Sequence, residues 1–510
     1  MATKTNTIGR PLFLASLYKI NHVMKRITAI LALSLCLSIT SCSSFLNVDT
    51  LGKSTIEGFF SDIDGLKAAG IGLHRTLLDF YDDQYLRMGD IPGDCTNLLL
   101  VNANAGLKKL SDFESLPEDN SYYPYSIWKK AYNICTNANN ILYYGNLLLE
   151  KNPTQEEIIK KHFGYAYFSR ALAIFDLCNV YAMPYSYTED ASHLGVVAID
   201  HVPGFNEIIE RHSIKDCYEM IISDLNKGLE CFGGDACEDP HYISGLACEA
   251  LLARVYLYMG DYAKAESYSE KVKTQVPLVS RDKYVDMFRR AQDVTGEAIF
   301  RLNSYEAGTG MSSLCSPVGS QDIEPTPEFL SSFNEKDIRR ELFTYNAEDE
   351  DGDAYKGKSF TAVCKYVPYK YCEKTKENRR CDPFVLRVSE MYLIHAEAIC
   401  RNGGDLSKAV DDIKELRARA MGMDKKDIAL NFSSSTDLDL LIQEERKKEL
   451  CFEGHRFFDL KRRGENIVRP ASTTSKINVL KYPDYRFSLP ICQMEMQANE
   501  NMKQNEGYEE

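Results

Sequence analysis

The sequence predicts a mostly α-helical protein, in which tetratricopeptide-like helix-turn-helix units form a scaffold with long loops and a few short strands. Two observations support this prediction. Apolar residues recur at helical spacing over most of the chain, and no long segment shows the two-residue alternation of a strand. A Gly-Asp turn with similar flanking residues also occurs twice, at Gly260-Asp261 and at Gly404-Asp405, as a repeated helix pair would require.

The first half of the chain is predicted to contain four long helices and one long stretch of loops. The loop-rich stretch is Gln84–Tyr125. The last of the four helices begins at Ser213, a residue type that caps helices well, and continues with one apolar face. The predicted helices are Asp64–Tyr81, Trp128–Glu150, Gln155–Tyr181 and Ser213–Glu230.

The first helix pair of the repeat lies between residues 252 and 277. Its pattern is helix, Gly-Asp turn, helix and terminating proline, and small residues at Ala253 and Ala265 allow the helices to approach closely. The residues at tetratricopeptide spacings are Leu252, Ala253, Tyr256, Gly260, Tyr262, Ala265 and Pro277. The second turn lies in Gly404–Ala409. We therefore expect about two to four such units, discontinuous in sequence, with specificity in the loops between them.

The region Ser280–Pro383 differs from the helical parts of the chain, because it contains short strand-like pieces separated by long loops. The next distinctive stretch, Gln443–Gly464, mixes charged residues with large apolar ones, and Gly454 divides it into two predicted helical segments. Its carboxylates recur every four residues and share one helix face, whereas three later residues form a second set at i,i+3 and i,i+4 spacing. The first set is Glu445, Glu449 and Glu453, and the second is Arg456, Asp459 and Arg463. Because aromatic residues lie among these charges, we expect the ion pairs to sit at the edge of a core.

Residues 1–41 are predicted to be a lipoprotein signal peptide. Ile27–Ile39 is as long as the apolar part of a signal peptide and too short to span a bilayer comfortably. Met24 is followed by two basic residues, so it is a second candidate start, in which case residues 1–23 are not translated. The segment ends in Ile39-Thr40-Ser41-Cys42, which resembles a lipoprotein signal-peptidase site. Cleavage there would leave Cys42 to be acylated as a membrane anchor; an ordinary secretory signal is the alternative.

The composition is that of a globular protein with a large core: 510 residues, 44% of them hydrophobic. The net charge is −14, and removal of residues 1–41, which carry five Lys or Arg and no acid, lowers it to −19. A chain this acidic repels phosphate backbones, so nucleic acid is a poor candidate partner.

The chain has sixteen cysteines, and many of them lie in apolar helical runs, where a free thiol behaves as a small hydrophobe. Examples are Cys135, Cys178, Cys248 and Cys400. There is no C-x-x-C pair to support a zinc or redox site. Disulfide bonds remain open at two places. The candidates are Cys231 with Cys237, and a pair among Cys364, Cys372 and Cys381.

The pattern E-R-x-x-E-L-x-F-E-G-H-R-F-F-D-L-x-R-x-G, from Glu445 to Gly464, closely resembles the C-terminal signature of the SusD/RagB family. Gly164–Leu177 and the terminal Q-N-x-G-Y of Gln504–Tyr508 resemble family segments as well. Two small departures, Cys492 and Glu506, stand where the family usually has proline. The resemblance extends over nearly the whole chain after Cys42.

This resemblance implies a surface lipoprotein that captures nutrients beside an outer-membrane transporter, with no catalytic activity and no cofactor. It also implies a division of the chain. Residues 42–235 correspond to a SusD-like N-terminal region, 236–300 to the tetratricopeptide-like pair and its connector, and 301–510 to the RagB/SusD C-terminal region.

Motifs for other chemistry are present but poorly placed. Gly352–Ser359 satisfies the P-loop expression, yet an acidic run precedes it and a predicted strand follows it, where a P-loop needs a buried strand and then a helix. Asp349, Asp351 and Asp353 could bind calcium, but the EF-hand spacing fails, so a solvated acidic loop is favoured and no metal site is predicted. No hydrolase or metalloprotease motif is present. Three histidines in helical contexts are predicted to be packed or surface residues: His162, His395 and His455.

Aromatic composition gives the best indication of a binding surface. The chain has 31 tyrosines and one tryptophan, Trp128, for which core packing is expected. A tyrosine ring stacks on the apolar face of a sugar while its hydroxyl forms hydrogen bonds. Tyrosines cluster in Gln84–Tyr125 and Asn303–Tyr371, where they serve either a ligand or the transporter interface. The predicted ligand-binding residues are Tyr305, Tyr355, Tyr366, Tyr369 and Tyr371.

The sequence thus predicts a non-catalytic lipoprotein, anchored at the cell surface through Cys42, that binds a nutrient. The resemblance implies that it covers a SusC-like TonB-dependent transporter in the outer membrane and delivers an oligosaccharide, or a peptide, for import. Two alternatives remain. One is a surface glycan hydrolase of helical fold, and the other is a tetratricopeptide-type scaffold that joins envelope proteins without a small ligand.

Overall fold

The computed structural model describes residues 55–99, 103–204, 207–233, 239–289, 296–304, 310–347, 355–368 and 381–509. The chain forms two compact units, residues 1–59 and 60–510. The described part of the first unit is residues 55–59. All further description concerns the second unit, except for the short helix α1.

The structure is dominated by α-helices, as predicted. In chain order they are α1 (Ile56–Phe59), α2 (Ile63–Phe80), α3 (Leu86–Asp90), α4 (Ala105–Asp112), α5 (Tyr123–Lys151), α6 (Glu156–Tyr181), α7 (Ile214–Phe232), α8 (Gly245–Met259), α9 (Tyr262–Lys273), α10 (Arg281–Tyr284), α11 (Asp286–Arg289), α12 (Gly310–Cys315), α13 (Pro327–Ser331), α14 (Val388–Asn402), α15 (Leu406–Met421), α16 (Ser435–Glu449), α17 (Arg456–Arg462) and α18 (Gln493–Ala498). A π-helix, Tyr81–Tyr85, joins α2 to α3.

Local sequence accounts for where the main helices begin and end. Asp62 and Ser213 accept hydrogen bonds from backbone N–H groups in the first turns of α2 and α7. Gly260 and Gly403 follow α8 and α14 with φ of +79° and +70°, a left-handed conformation that glycine adopts without strain. The predicted helix at Trp128 begins earlier, at Tyr123, because Pro124 lies in the first turn, where its missing N–H costs nothing.

The long helices pack against one another largely in sequence order. The helix α2 packs on α5 and α6, and the series continues through α7, α8 and α9. The pairs α8–α9 and α14–α15 are the two predicted helix-turn-helix units. They are joined by contacts between α9 and α14, although residues 274–387 separate these helices in sequence. The prediction of a discontinuous tetratricopeptide-like scaffold is confirmed.

The strands are short and form antiparallel pairs. They are β1 (Thr96–Leu98), β2 (Ala298–Arg301), β3 (Ile323–Pro325), β4 (Thr344–Asn346), β5 (Ser359–Thr361), β6 (Phe384–Arg387), β7 (Ile467–Val468) and β8 (Val479–Leu480). In the described residues the pairs are β1–β3, β2–β6, β4–β5 and β7–β8. The β1–β3 pair, with Thr96 opposite Pro325, brings the two predicted loop-rich stretches together.

The structure bears on the predictions about disulfide bonds and membrane-spanning segments. The thiols of Cys231, Cys364 and Cys381 are free; their other candidate partners, Cys237 and Cys372, lie outside the described residues. Among the helices of the described ranges, none has the length and apolarity needed to cross a bilayer.

The helices α16 and α17 carry charges that are buried between segments of the chain. Arg387 binds Glu453 through Nε and Glu297 through Nη1, each at 2.7 Å, and Glu449 through Nη1 at 2.8 Å. Glu449 also accepts a 2.6 Å hydrogen bond from Arg419. Desolvation opposes ionisation of Glu449, but the arginines outweigh it and hold its pKa well below its usual range. Such charges are tolerated in a core only because each is paired.

A second group of buried ion pairs surrounds α17. Arg462 binds both oxygens of Glu397 at 2.7 Å, and Arg463 adds a bond to the same carboxylate at 3.1 Å. Arg446 binds Asp459 at 2.8 Å.

Of the three predicted glutamates, Glu445 and Glu449 lie in α16 and Glu453 lies beyond its end. Glu445 is paired with Arg339 at 2.6 Å and with Arg417 at 2.7 Å. All three glutamates are buried, so these ion pairs lie inside the core and not, as predicted, at its edge.

The predicted local pairing of Arg456, Asp459 and Arg463 is corrected by the structure. Arg456 forms a bidentate ion pair with Asp94 at 2.7 and 2.8 Å, and Arg463 reaches α14 through Glu397. Partners from distant segments replace the helical neighbours because these side chains face the core. Only the Asp459–Arg462 pair keeps i,i+3 spacing within α17.

Gly454 separates α16 from α17 and allows their junction to pack closely on α3. Its φ is +82°, which favours glycine. A Cβ atom added to Gly89 would lie 2.1 Å from the Gly454 carbonyl oxygen, so both positions require glycine. The Gly454 N–H donates to Asp90 Oδ2 at 2.6 Å, and burial raises the pKa of Asp90 to about 7.

Substitution of Arg456 by alanine is expected to lower the free energy of unfolding by about 3 kcal/mol, because Asp94 loses its bidentate partner and retains Lys447, at 3.5 Å, as its cation among the described residues. Urea unfolding measures this change. The control is Lys426→Ala, whose ion pair with Asp424 is 77% and 73% exposed and should matter by less than about 1 kcal/mol. A stable Arg456→Ala protein that has lost ligand binding would contradict a structural role for this stretch.

The stability contributed by Glu397 is expected to depend on pH. Desolvation opposes its ionisation, but Arg462 and Arg463 lower its pKa to about 2, below the unfolded value of about 4.3. A depressed pKa contributes stability that is complete above the unfolded value and is lost as pH falls towards the folded one. The difference in unfolding free energy between wild type and Glu397→Gln should therefore shrink by about 2 kcal/mol from about pH 7 to about pH 3. A difference that is independent of pH would contradict this.

Candidate functional site

A cleft of about 540 Å³, here named the His74 cleft, opens between α2 and the N-terminal part of α6. Its third side is the segment before α8, and its fourth is the end of β2. It combines aromatic, imidazole and charged side chains, as ligand sites commonly do. The lining residues are Lys67, Gly70, Ile71, His74, Arg75, Ile158, Lys161, His162, Tyr165, Asp239, His241, Tyr242, Leu302 and Asn303.

His74 presents an unused hydrogen-bond acceptor in this cleft. Its Nδ1 donates to the Gly70 carbonyl at 2.9 Å, which leaves Nε2 as the acceptor of the neutral ring. Nε2 is buried and makes no hydrogen bond within the described structure. Desolvation, assisted by the nearby His162, lowers the pKa of His74 and keeps the ring neutral. A buried acceptor without a partner is costly, so a small displacement of the surrounding rings that let a ligand hydroxyl donate to it would be favourable.

Two tyrosines surround His74. The Tyr165 ring meets it edge to face, with 4.9 Å between centroids, and the Tyr242 ring lies at 5.9 Å. Tyr242 is 49% exposed, so part of its surface is available to a ligand. An exposed ring beside a hydrogen-bond acceptor is an arrangement that suits a sugar, whose apolar face stacks while its hydroxyls bond.

The close approach of α2 and α6 forms the floor of the cleft and depends on Gly70. A Cβ atom there would lie 2.5 Å from His162 Cδ2. His162 is fixed by a 2.8 Å bond from Nδ1 to the Ile158 carbonyl, and its ring contacts Tyr165 at 5.5 Å. A larger residue in place of Gly70 would push the two helices apart.

The remaining wall is held by His241, which bonds to carboxylates on both sides. Its Nδ1 lies 2.8 Å from Asp239 Oδ1, and its Nε2 lies 3.0 Å from Asp382 Oδ2. Asp382 is fully buried and also accepts from the Ser304 N–H and hydroxyl at 2.9 and 2.8 Å. These bonds tie the segment before α8 to the end of β2, so the cleft is largely pre-formed.

Comparison with known proteins identifies the family. A family model described as "SusD family" matches residues 331–508, and one described as "Starch-binding associating with outer membrane" matches residues 84–257. The chain belongs to the SusD family. The description of the second model indicates association with the outer membrane.

Two relatives of this SusD-family protein match over most of its length, and a third matches over about a quarter of it. The SusD-like protein P2 of Formosa agariphila is 26% identical over 519 residues, which cover 93% of this chain and 98% of that protein. A crystal structure of a SusD superfamily protein from Bacteroides vulgatus has a TM-score of 0.74 at 25% identity and covers 88% of this chain and 99% of its own. The starch-binding protein SusD of Bacteroides thetaiotaomicron is 35% identical over 127 residues, 24% of this chain and 21% of that protein.

The structure describes two of the tyrosines predicted to bind ligand in this SusD-family protein. Tyr355 is half-buried, and its ring lies 6.1 Å from that of Phe360. Tyr366 is 3% exposed, and its hydroxyl donates to the Phe452 carbonyl at 2.7 Å. We therefore correct the assignment of Tyr366, because a buried ring has no face to offer a ligand.

The other predicted site residues, Tyr305, Tyr369, Tyr371 and the lipid-anchor residue Cys42, lie outside the described residues. Tyr305 follows two residues after Asn303, which lines the cleft. Tyr305 is therefore close in sequence to a residue of the cleft, and its contact with a ligand stays a prediction.

The P-loop and calcium candidates gain no support from this SusD-family structure. Gly352 and the three aspartates lie outside the described residues, but Ser359 begins a strand, β5, where a P-loop requires a helix. In the described ranges, no group of three or more His, Cys, Asp or Glu side chains is arranged to hold a metal ion.

A larger groove, of about 1160 Å³, follows α5 and has Trp128 and Tyr132 at its base. Trp128 is 3% exposed, as predicted for a core residue. The Tyr132 hydroxyl donates to the Val197 carbonyl and accepts from the Val197 N–H, both at 3.0 Å. The third aromatic residue that lines the groove, Tyr125, is half-buried, with Lys129 Nζ 5.6 Å from its ring centroid. This groove is therefore a weaker candidate than the His74 cleft.

Sequence reasoning missed the residues that define the cleft. His74, Lys161 and Tyr242 come from three separate segments, and none lies in a recognisable motif. The one usable signal was Gly70 inside a predicted helix, since an interior glycine marks close packing by a neighbour.

Proposed function

We propose that this SusD-family protein is a non-catalytic, lipid-anchored lipoprotein on the outer-membrane surface that binds an oligosaccharide in the His74 cleft. The observation that carries the proposal is the unpaired, buried Nε2 of His74 beside the exposed ring of Tyr242. Relatives described as starch-binding support a glycan as the ligand class. The resemblance of the signature stretch to the family supports delivery to a SusC-like TonB-dependent transporter.

The cleft favours binding over hydrolysis. Glycoside hydrolysis commonly uses two carboxyl groups that flank the scissile bond. Among the described residues that line the cleft, Asp239 is the only carboxylate, and its Oδ1 is bonded to His241. A rigid, largely pre-formed surface suits capture of a ligand without requiring a reaction.

Substitution of Tyr242 by alanine is expected to weaken glycan binding by roughly 1–2 kcal/mol, the scale of an aromatic contact and its buried area. Calorimetry on the isolated lipoprotein with a panel of glycans measures this. Tyr355→Ala is the comparison, because Tyr355 is a ligand candidate predicted from the sequence and does not line the cleft. If Tyr242→Ala binds as wild type does and Tyr355→Ala does not, the ligand site is the predicted loop region and not the cleft.

Attachment to the membrane is expected to depend on Cys42. Because the signal-like segment ends in Ile39-Thr40-Ser41-Cys42, Cys42→Ala should move the natively expressed protein from the membrane fraction to a soluble fraction. Immunoblotting of the separated fractions tests this. A conservative control, Ser43→Ala, leaves the acylated position intact and should remain with the membrane. Equal membrane retention of the Cys42→Ala protein would refute the anchor.

A further inference from the structure

The side chains that line the His74 cleft include more basic than acidic groups, whereas the whole chain is acidic. The chain has a net charge of −14. The cleft nevertheless has three basic residues, Lys67, Arg75 and Lys161, at its lining. In the part of the lining that the structure describes, Asp239 is the one acid, and it is paired with His241. Asp64 and Asp79, which pair with Lys67 and Arg75, are not among the lining residues. A ligand in the cleft therefore meets the basic groups first, and basic groups that line a cleft attract anions.

The basic residues of the cleft are available to a ligand. Lys67 pairs with Asp64 at 3.1 Å and Arg75 with Asp79 at 3.0 Å, but the side chains of these pairs are 48–89% exposed and the pairs contribute little. Lys161 is exposed and forms no ion pair with the described residues. A ligand anion could therefore bind Lys161 directly and compete for Lys67 and Arg75 at small cost.

The cations also act on the interior of the cleft. Desolvation is the main reason for the lowered pKa of His162, and the positive charges of Lys161 and Lys67 lower it further. The rim lysines are thus close enough to influence the ring that forms the floor. A sugar that stacked on Tyr242 and donated to His74 would lie within the same positive field.

From this arrangement we propose that the cleft selects anionic oligosaccharides, whose carboxylate or sulfate groups bind Lys67, Arg75 and Lys161 while a neutral part of the sugar contacts Tyr242 and His74. This proposal rests on the proposed glycan-binding function and specifies its ligand class. Guanidinium and ammonium groups form charge-assisted hydrogen bonds with both kinds of anion. A neutral glucan would gain only the stacking and the hydroxyl contact.

Calorimetry on the full lipoprotein in detergent tests the proposal with matched probes. Oligogalacturonate and its methyl ester differ in carboxylate charge, and dextran sulfate and dextran differ in sulfate charge. We expect at least one anionic probe to bind about tenfold more tightly than its neutral partner at low salt. The preference should shrink as sodium chloride is added, because exposed charges are screened. The pair that shows the preference identifies the anion.

The double variant Lys67→Ala/Lys161→Ala should lose this preference and keep its melting temperature, since both side chains are exposed. The control, Lys426→Ala, removes an exposed lysine that does not line the cleft and should keep the preference. An anionic preference that survives in the double variant would place the anion elsewhere and overturn the proposal.

Two further outcomes separate this proposal from the glycan-binding function. If neutral and anionic partners bind equally and Tyr242→Ala weakens both, the protein binds glycan in the cleft but charge selection is wrong. If no glycan of either charge binds, the proposed function fails as well.

Discussion

Ion pairs buried between segments that are distant in sequence are the constraint on which this fold depends. The glutamate face of α16 meets arginines from β6 and α15, so an acid on one helix is neutralised only when the other segments are in place. Each partner left alone would be an uncompensated charge in a core, which costs several kcal/mol. The network therefore ties the tetratricopeptide-like units to the irregular segments that interrupt them.

Much of the scaffold could be predicted from the sequence, because helix periodicity, caps and Gly-Asp turns are local properties. The spacing of Glu445 and Glu449 correctly indicated a shared face, whereas Glu453 lies beyond the end of α16. The interspersed aromatic residues correctly indicated packing, but the ion pairs lie inside the core and not at its edge. The partners of these charges could not be predicted. Arg456 has Asp459 within one helical turn, yet it binds Asp94, more than three hundred residues earlier in the chain. Local spacing identifies possible partners, whereas tertiary packing selects among them.

The candidate site was less predictable than the scaffold for a related reason. The sequence predicted that tyrosines in loops contact the ligand, but Tyr366 lies in the core with its hydroxyl bonded to the backbone. The candidate cleft is instead assembled where Gly70 lets α2 and α6 approach. Its lining comes from these two helices and from the segments before α8 and after β2. The net charge of −14 predicted an acidic surface. It could not show that basic residues from α2 and α6 come together in the lining of one cleft.

The contact between α9 and α14 bears on how the protein acquires its structure after export. In a chain that becomes available from its N-terminus, α9 can form before α14 is present. The apolar face of α9 then stays uncovered until residues 388–402 pack on it. Contacts of such long sequence separation form late and slow the folding of the whole. A polypeptide that ended before β6 would lack the helix that covers this face of α9. It would also lack the C-terminal signature, whose ion pairs reach earlier segments such as Asp94 and Arg387, so these charges are compensated only when the whole chain is present.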